Sequence, residues 1–97
     1  MSNNMKRYEA LTQSSARHLK LLAEAVEKLM AAGYKVCMLT EPSFVDLIAI
    51  NKNEIWFVEV KAGKSISFTP NEKLLQKLCK MHKIKYSVYH NNEFHEL

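Results

Sequence analysis

Apolar residues recur at three- and four-residue spacing between Ser14 or Ser15 and Ala32, where Leu19, Leu22, Ala23, Val26, Leu29 and Met30 form one stripe. That period predicts an amphipathic helix, with Lys20, Glu24, Glu27 and Lys28 on a solvated face and Gly33 as its stop. The pattern then changes. Lys35–Leu39, Phe44–Ile50 and Ile55–Lys61 are short apolar runs, separated by Thr40-Glu41-Pro42-Ser43 and Asn51-Lys52-Asn53-Glu54. They read as three strands, the second and third joined by a hairpin turn. Continuous Ile/Trp/Phe/Val character predicts that the third is central and buried on both faces. Thr69-Pro70-Asn71-Glu72 combines an N-cap residue, proline at the first helical position and an acid three after the cap. A second helix should therefore start there and run to about His82, with Leu74, Leu75, Leu78 and Met81 inward. Lys85–His90 is a last strand. Residues 1–13 read as a polar, at most partly helical segment and residues 91–97 as a polar tail.

The order α-β-β-β-α-β implies an α/β domain with a central four-stranded mixed sheet flanked by helices. Ninety-seven residues make one domain, and neither linker composition nor repeats divide them. No apolar run has the length of a membrane span, and the first residues lack a signal peptide's apolar stretch, so a cytoplasmic protein with no membrane partner is expected. Cys37 and Cys79 lie far apart among apolar neighbours and read as inert buried thiols.

Two of the apolar runs carry charge where a core does not tolerate it. Asp46 sits within the second, and Glu59 and Lys61 end the third. A carboxylate buried without a partner costs several kcal/mol, roughly, so an acid in such a strand normally faces a cation, a donor or a metal. Side chains alternate along a strand, which puts Glu59 and Lys61 on one face of the third run and Asp46 with Phe44, Ile48 and Ile50 on one face of the second, and the acids meet if the hairpin register pairs those faces. Hydrolysis of a phosphodiester needs an activated water, relief of charge on the phosphate and help for the leaving oxygen. A hard divalent cation on carboxylates supplies most of this. Asp46, Glu59 and the backbone carbonyl of Val60 are the candidate ligands, and Lys61 would position water or neutralise developing charge.

An acid on one strand followed a dozen residues later by Glu-x-Lys on the next resembles the PD-(D/E)XK nuclease superfamily, over roughly Ser15 to His90. Val45-Asp46-Leu47-Ile48-Ala49-Ile50 through Glu59-Val60-Lys61 is most similar to archaeal Holliday-junction resolvases and small virus-type VRR nuclease domains. The resemblance implies a restriction-endonuclease-like core and a homodimeric, Mg²⁺- or Mn²⁺-dependent DNA endonuclease. It also implies metal binding by Asp46 and Glu59 and a catalytic role for Lys61. Three positions depart from that pattern. Val45 stands where relatives have proline. His18 or Leu22 stands where they have a metal-binding Glu on the first helix, leaving Glu9, His18 and Glu41 as candidates for that ligand. Glu72 or Gln76 stands where they often have Gln.

Net charge is +4, yet residues 61–85 alone hold seven lysines against one acid, Glu72. Lys64, Ser65, Lys73 and Lys77 are the candidate phosphate contacts in this basic window. Glu72 reads first as a capping-box acid, Glu24 as a solvated helix charge and Trp56 as core or subunit interface. A small domain with few loops has little surface for reading base edges, which favours structure-selective cutting of DNA, branched forms included. Two alternatives remain: a nucleic-acid-binding module that has lost turnover, and a protein-interaction or inhibitor domain on the same scaffold.

Overall fold

The structure, a computed structural model, describes the backbone of residues 2–39 and 43–97 and the side chains of residues 16–39 and 43–97. Its elements are α1 (Ser2–Ala31), β1 (Lys35–Met38), β2 (Leu47–Ile50), β3 (Ile55–Val60), α2 (Pro70–Met81), β4 (Lys85–His90) and β5 (Glu93–Glu96). The strands form one sheet in the order β1-β2-β3-β4-β5, antiparallel except for the parallel β3–β4 pair. The mixed sheet, central β3 and flanking helices are those expected.

Two ends of the chain differ from expectation. The first helix begins at Ser2 rather than near Ser14, because residues 2–13 contain neither glycine nor proline and are rich in helix formers. The tail supplies a fifth strand. Asn91 and Asn92 both adopt positive φ, 50° and 63°, the backbone of a two-residue type I′ turn, and His90 pairs with Glu93 across it.

Each helix covers one face of the sheet. On one side Leu22, Ala25 and Leu29 of α1 pack on Leu47, Ala49, Val58, Val60 and Tyr89. The buried stripe is thus rotated from the expected one: it includes Ala25 and leaves Leu19 and Met30 exposed. Gly33, at φ +94°, ends α1, with Tyr34 N–H donating to the Leu29 carbonyl at 3.1 Å in a Schellman arrangement. On the other side Cys79 and Leu75 of α2 pack with Tyr86, Val88, Phe57 and Phe68.

This second layer is partial. α2 has only twelve residues and lies against β4, so β1 and β2 are left open on that face. Leu74, Leu78 and Met81, expected inward, are exposed there, as are Phe44 and Ile50. Cys37, expected to be buried, is exposed for the same reason, since it pairs with Ile48 on the uncovered half. Cys79 is buried, and both thiols are free.

Candidate active site

The β2–β3 hairpin sets the site by register. Asn51 folds the turn, its carboxamide oxygen accepting from the Asn53 and Glu54 amides at 2.9 Å, and Ile50 then pairs with Ile55 and Leu47 with Val58. One step further along the same register, Asp46 falls opposite Glu59. Asp46 is tied on both sides. Its carbonyl accepts from Leu39 N–H at 3.0 Å, and its carboxylate Oδ2 accepts from Val60 N–H at 2.8 Å. The side chain thus replaces a backbone carbonyl as partner for the last amide of β3. Lys61 follows, its amide donating to the Tyr89 carbonyl at 3.0 Å.

Glu59 is buried beside Asp46. Burial first, then the Asp46 charge and a hydrogen bond to it, push its carboxyl up to about 8, with Glu72 adding to the rise and Lys61 opposing it. A carboxyl of this kind keeps its proton at neutral pH until a counter-charge arrives.

Lys61 is paired with Glu72 rather than with Glu59. Its ammonium donates to both Glu72 oxygens, at 2.9 and 2.8 Å, and lies 5.8 Å from the centre of the Phe68 ring. Glu72 is also the capping-box acid expected from the sequence. Its Oε1 accepts from Thr69 N–H at 2.9 Å, and its own amide donates to Thr69 Oγ1 at 3.2 Å. Burial raises the Glu72 carboxyl, but hydrogen bonds and charge from Lys61 and Thr69 outweigh it and leave the group below its ordinary value. One residue thus caps α2 and anchors Lys61, a double role that pattern alone did not reveal.

His18, one of the candidates for the further ligand, brings Nε2 to 3.6 Å from Asp46 Oδ2. Glu41 lies outside the described residues, as does the side chain of Glu9. Lys64 and Ser65 are exposed in the segment between β3 and α2, and Lys73 and Lys77 are exposed on α2. Glu24 receives the Tyr89 hydroxyl at 3.5 Å and is half-buried rather than fully solvated. Trp56 faces the α1 side, edge-on to Tyr34 with ring centres 6.1 Å apart. His90, not singled out from the sequence, is buried, and its Nε2–H donates to the Gly63 carbonyl at 2.8 Å. It pins the chain where Gly63, at φ +113°, turns away from Lys61. No sequence pattern marks that contact.

A cleft of about 730 Å³ opens over the carboxylates, between the approach to β2 and the first turns of α2. Asp46, Glu59 and Glu72 lie in it, with Phe44, Leu74 and Leu78 on its walls.

Among solved structures, Hjc, a Holliday junction resolvase from the archaeal hyperthermophile Archaeoglobus fulgidus, matches with a TM-score of 0.55 at 16% identity, over 77% of this chain and 73% of that one. That likeness shows the fold, an α/β core of the restriction-endonuclease-like kind. No family model matches the chain, and no curated protein sequence matches it. Among the described residues, no helix is long and apolar enough to cross a membrane.

The donors at the cleft floor suit a hard cation. Mg²⁺ is held by one or two carboxylates and otherwise by water and substrate oxygens, and Asp46 and Glu59 are two adjacent carboxyl groups in the cleft. Among the described residues, no group of three or more His, Cys, Asp or Glu side chains stands together so as to hold a metal ion. A cation bound here would draw on Asp46, Glu59 and main-chain oxygen.

Proposed function

We propose that this protein is a divalent-metal-dependent DNA endonuclease that hydrolyses phosphodiester bonds at structural features such as junctions, flaps or nicks. The observation that carries this reading is the placement of Asp46 opposite the buried Glu59 at the end of β2 and β3, with Lys61 two residues further on. A lysine ion pair does not explain it, because among the described residues the Lys61 ammonium is held by Glu72 and not by either of these acids. Asp46, Glu59 and the Val60 carbonyl would hold Mg²⁺ or Mn²⁺, which supplies positive charge at the phosphate and lowers the pKa of water.

The chain's own groups do the rest. The Val60 amide fixes the Asp46 carboxylate in one orientation. Glu72, which lines the cleft, holds the Lys61 ammonium beside it, and Lys61 would neutralise charge that develops on the phosphate in the transition state. Lys64, Ser65, Lys73 and Lys77 meet the flanking backbone of the DNA. Ile50 and Ile55, exposed on the open half of the sheet, support the homodimer that belongs to this reading, and sedimentation at micromolar concentration tests it.

The experiment is cleavage of labelled linear duplex, single strand, flap and four-way junction with Mg²⁺, Mn²⁺ or EDTA, with Glu59→Ala and Lys61→Ala alongside. Metal-dependent cutting that each substitution lowers by about 10² or more is the expected result. Salt-sensitive binding without cutting would instead identify a binding module, the reading favoured by the lack, among the described residues, of a third side chain grouped with Asp46 and Glu59 so as to hold a metal ion. Absence of any DNA affinity would leave the interaction domain.

A further inference from the structure

Phe44, Leu74 and Leu78 are 60%, 55% and 42% exposed, yet all three line the cleft above Asp46 and Glu59. Its volume, about 730 Å³, lies in the ordinary range for pockets that take small molecules. Ser43 and Asn71 add a hydroxyl and a carboxamide to the same lining. Beside the apolar wall runs a cationic row. Lys73 and Lys77 are one turn apart on α2, and Lys77 is three residues from Leu74 and four from Met81, which makes them surface neighbours.

A protein surface or a second copy seated here would have to bring its own positive charge to the Asp46–Glu59 pair, because sealing it without one is costly. A nucleotide suits the apolar and neutral polar parts of the lining, with Lys73 and Lys77 beside it on α2. Its flat base takes the aromatic and aliphatic wall, its edge has Asn71 and Ser43, and its flanking phosphates have the lysines. The floor stays open to water and a cation.

We propose that this cleft receives an unpaired base next to the phosphodiester addressed by Asp46 and Glu59, stacked on Phe44 and flanked by Leu74 and Leu78. The position of the phosphodiester rests on the nuclease reading; the base contact does not. The consequence is a substrate class: DNA with at least one unstacked nucleotide, in preference to continuous duplex.

The test uses oligonucleotides carrying 2-aminopurine, either unpaired in a flap or gap or fully paired in a duplex, in EDTA so that no bond is cut. Affinity is read by anisotropy and stacking by quenching of the 2-aminopurine fluorescence. Wild type should bind the unpaired form more tightly and quench it. Phe44→Ala should weaken that binding by about tenfold, as loss of one aromatic–base stack does, and leave duplex binding unchanged. Phe44→Trp should restore it. Because Phe44 is exposed, the melting temperature should barely move, and a Leu74→Ser/Leu78→Ser variant gives a second reading of the same wall.

Equal loss on paired and unpaired DNA, no loss at all, or no preference in wild type overturns the proposal. So does a Phe44→Ala protein that sediments at a lower mass than wild type, which would make this face a contact between copies. Metal-dependent cutting with no effect of Phe44 removes the base site and keeps the nuclease. Base preference without cutting does the reverse.

Discussion

Both carboxylate oxygens of Glu72 accept hydrogen bonds from the Lys61 ammonium, at 2.9 and 2.8 Å, and one of them also accepts from the Thr69 amide. The first turn of α2 and the end of β3 are therefore joined through one side chain. A lysine on a flexible four-carbon stem would otherwise sample many rotamers. Here its charge is delivered to one place by a residue whose own position is set by a helix cap.

Separating the two duties of Glu72 gives a first prediction. Thr69→Ala removes the N-cap but leaves Lys61 its partner, so stability should fall by about 0.5–2 kcal/mol while turnover at saturating substrate holds. Glu72→Gln keeps an oxygen for the Thr69 amide but loses the charge that holds Lys61. Turnover should then drop by up to about 10²-fold, the scale of a misplaced catalytic group, with only a small change in melting temperature. Parallel losses of stability and kcat in both variants would show that the ion pair is merely structural.

The basic window makes a prediction about salt. If Lys73 and Lys77 meet phosphates, replacing both with alanine should flatten the plot of log Kobs against log salt by about 1 per contact removed. Lys20→Ala, on the exposed part of α1, should leave the slope alone. Unchanged slopes for Lys73 and Lys77 would mark them as solvated helix charges.

How much of this was legible in the sequence depends on how far each feature is from a local rule. Asp46 opposite Glu59 follows from side-chain alternation and a short turn, both local. The capping box at Thr69 and Glu72 is local as well. The Lys61–Glu72 bond is not, because it depends on how α2 docks. Of the four leucine and methionine positions on α2 expected inward, three are not. The helix instead turns Glu72, Leu75 and Cys79 toward the sheet and leaves Leu74, Leu78 and Met81 out. The fifth strand was hidden by composition. Among Glu93, Phe94, His95 and Glu96 only Phe94 is apolar, and an edge strand can be that polar. The signal lay in Asn91-Asn92, a pair suited to a type I′ turn.

The partial cover of the sheet should be readable by thiol chemistry. Cys37 is exposed on β1, while Cys79 is buried under α2 and its thiol is pushed up by that burial. A disulfide reagent at pH 8 should therefore label one thiol quickly in the folded protein and the second only after denaturation. Cys37→Ser should abolish the fast phase. Two fast thiols, or none, would contradict the open half-face.

Glu59 supplies a pH dependence with a definite sign. Its carboxyl is raised from an ordinary 4.5 to about 8 in the folded protein. Between those values the folded state keeps a proton that the unfolded chain has released, so stability falls as pH rises. The contribution is complete below about 4.5 and is lost once pH has passed about 8. Melting in EDTA across pH 5 to 9 should therefore show a decline that Glu59→Gln flattens, since the amide cannot ionise. Added Mg²⁺ should work against the decline. A cation that binds the folded protein stabilises it by mass action, and it must displace the proton to do so, so its effect should grow toward alkaline pH. In Glu59→Gln the Mg²⁺ shift should shrink at every pH. If the wild-type protein melts at the same temperature throughout, or Mg²⁺ raises the melting temperature of both proteins equally, then Asp46 and Glu59 are not the pair that takes the cation.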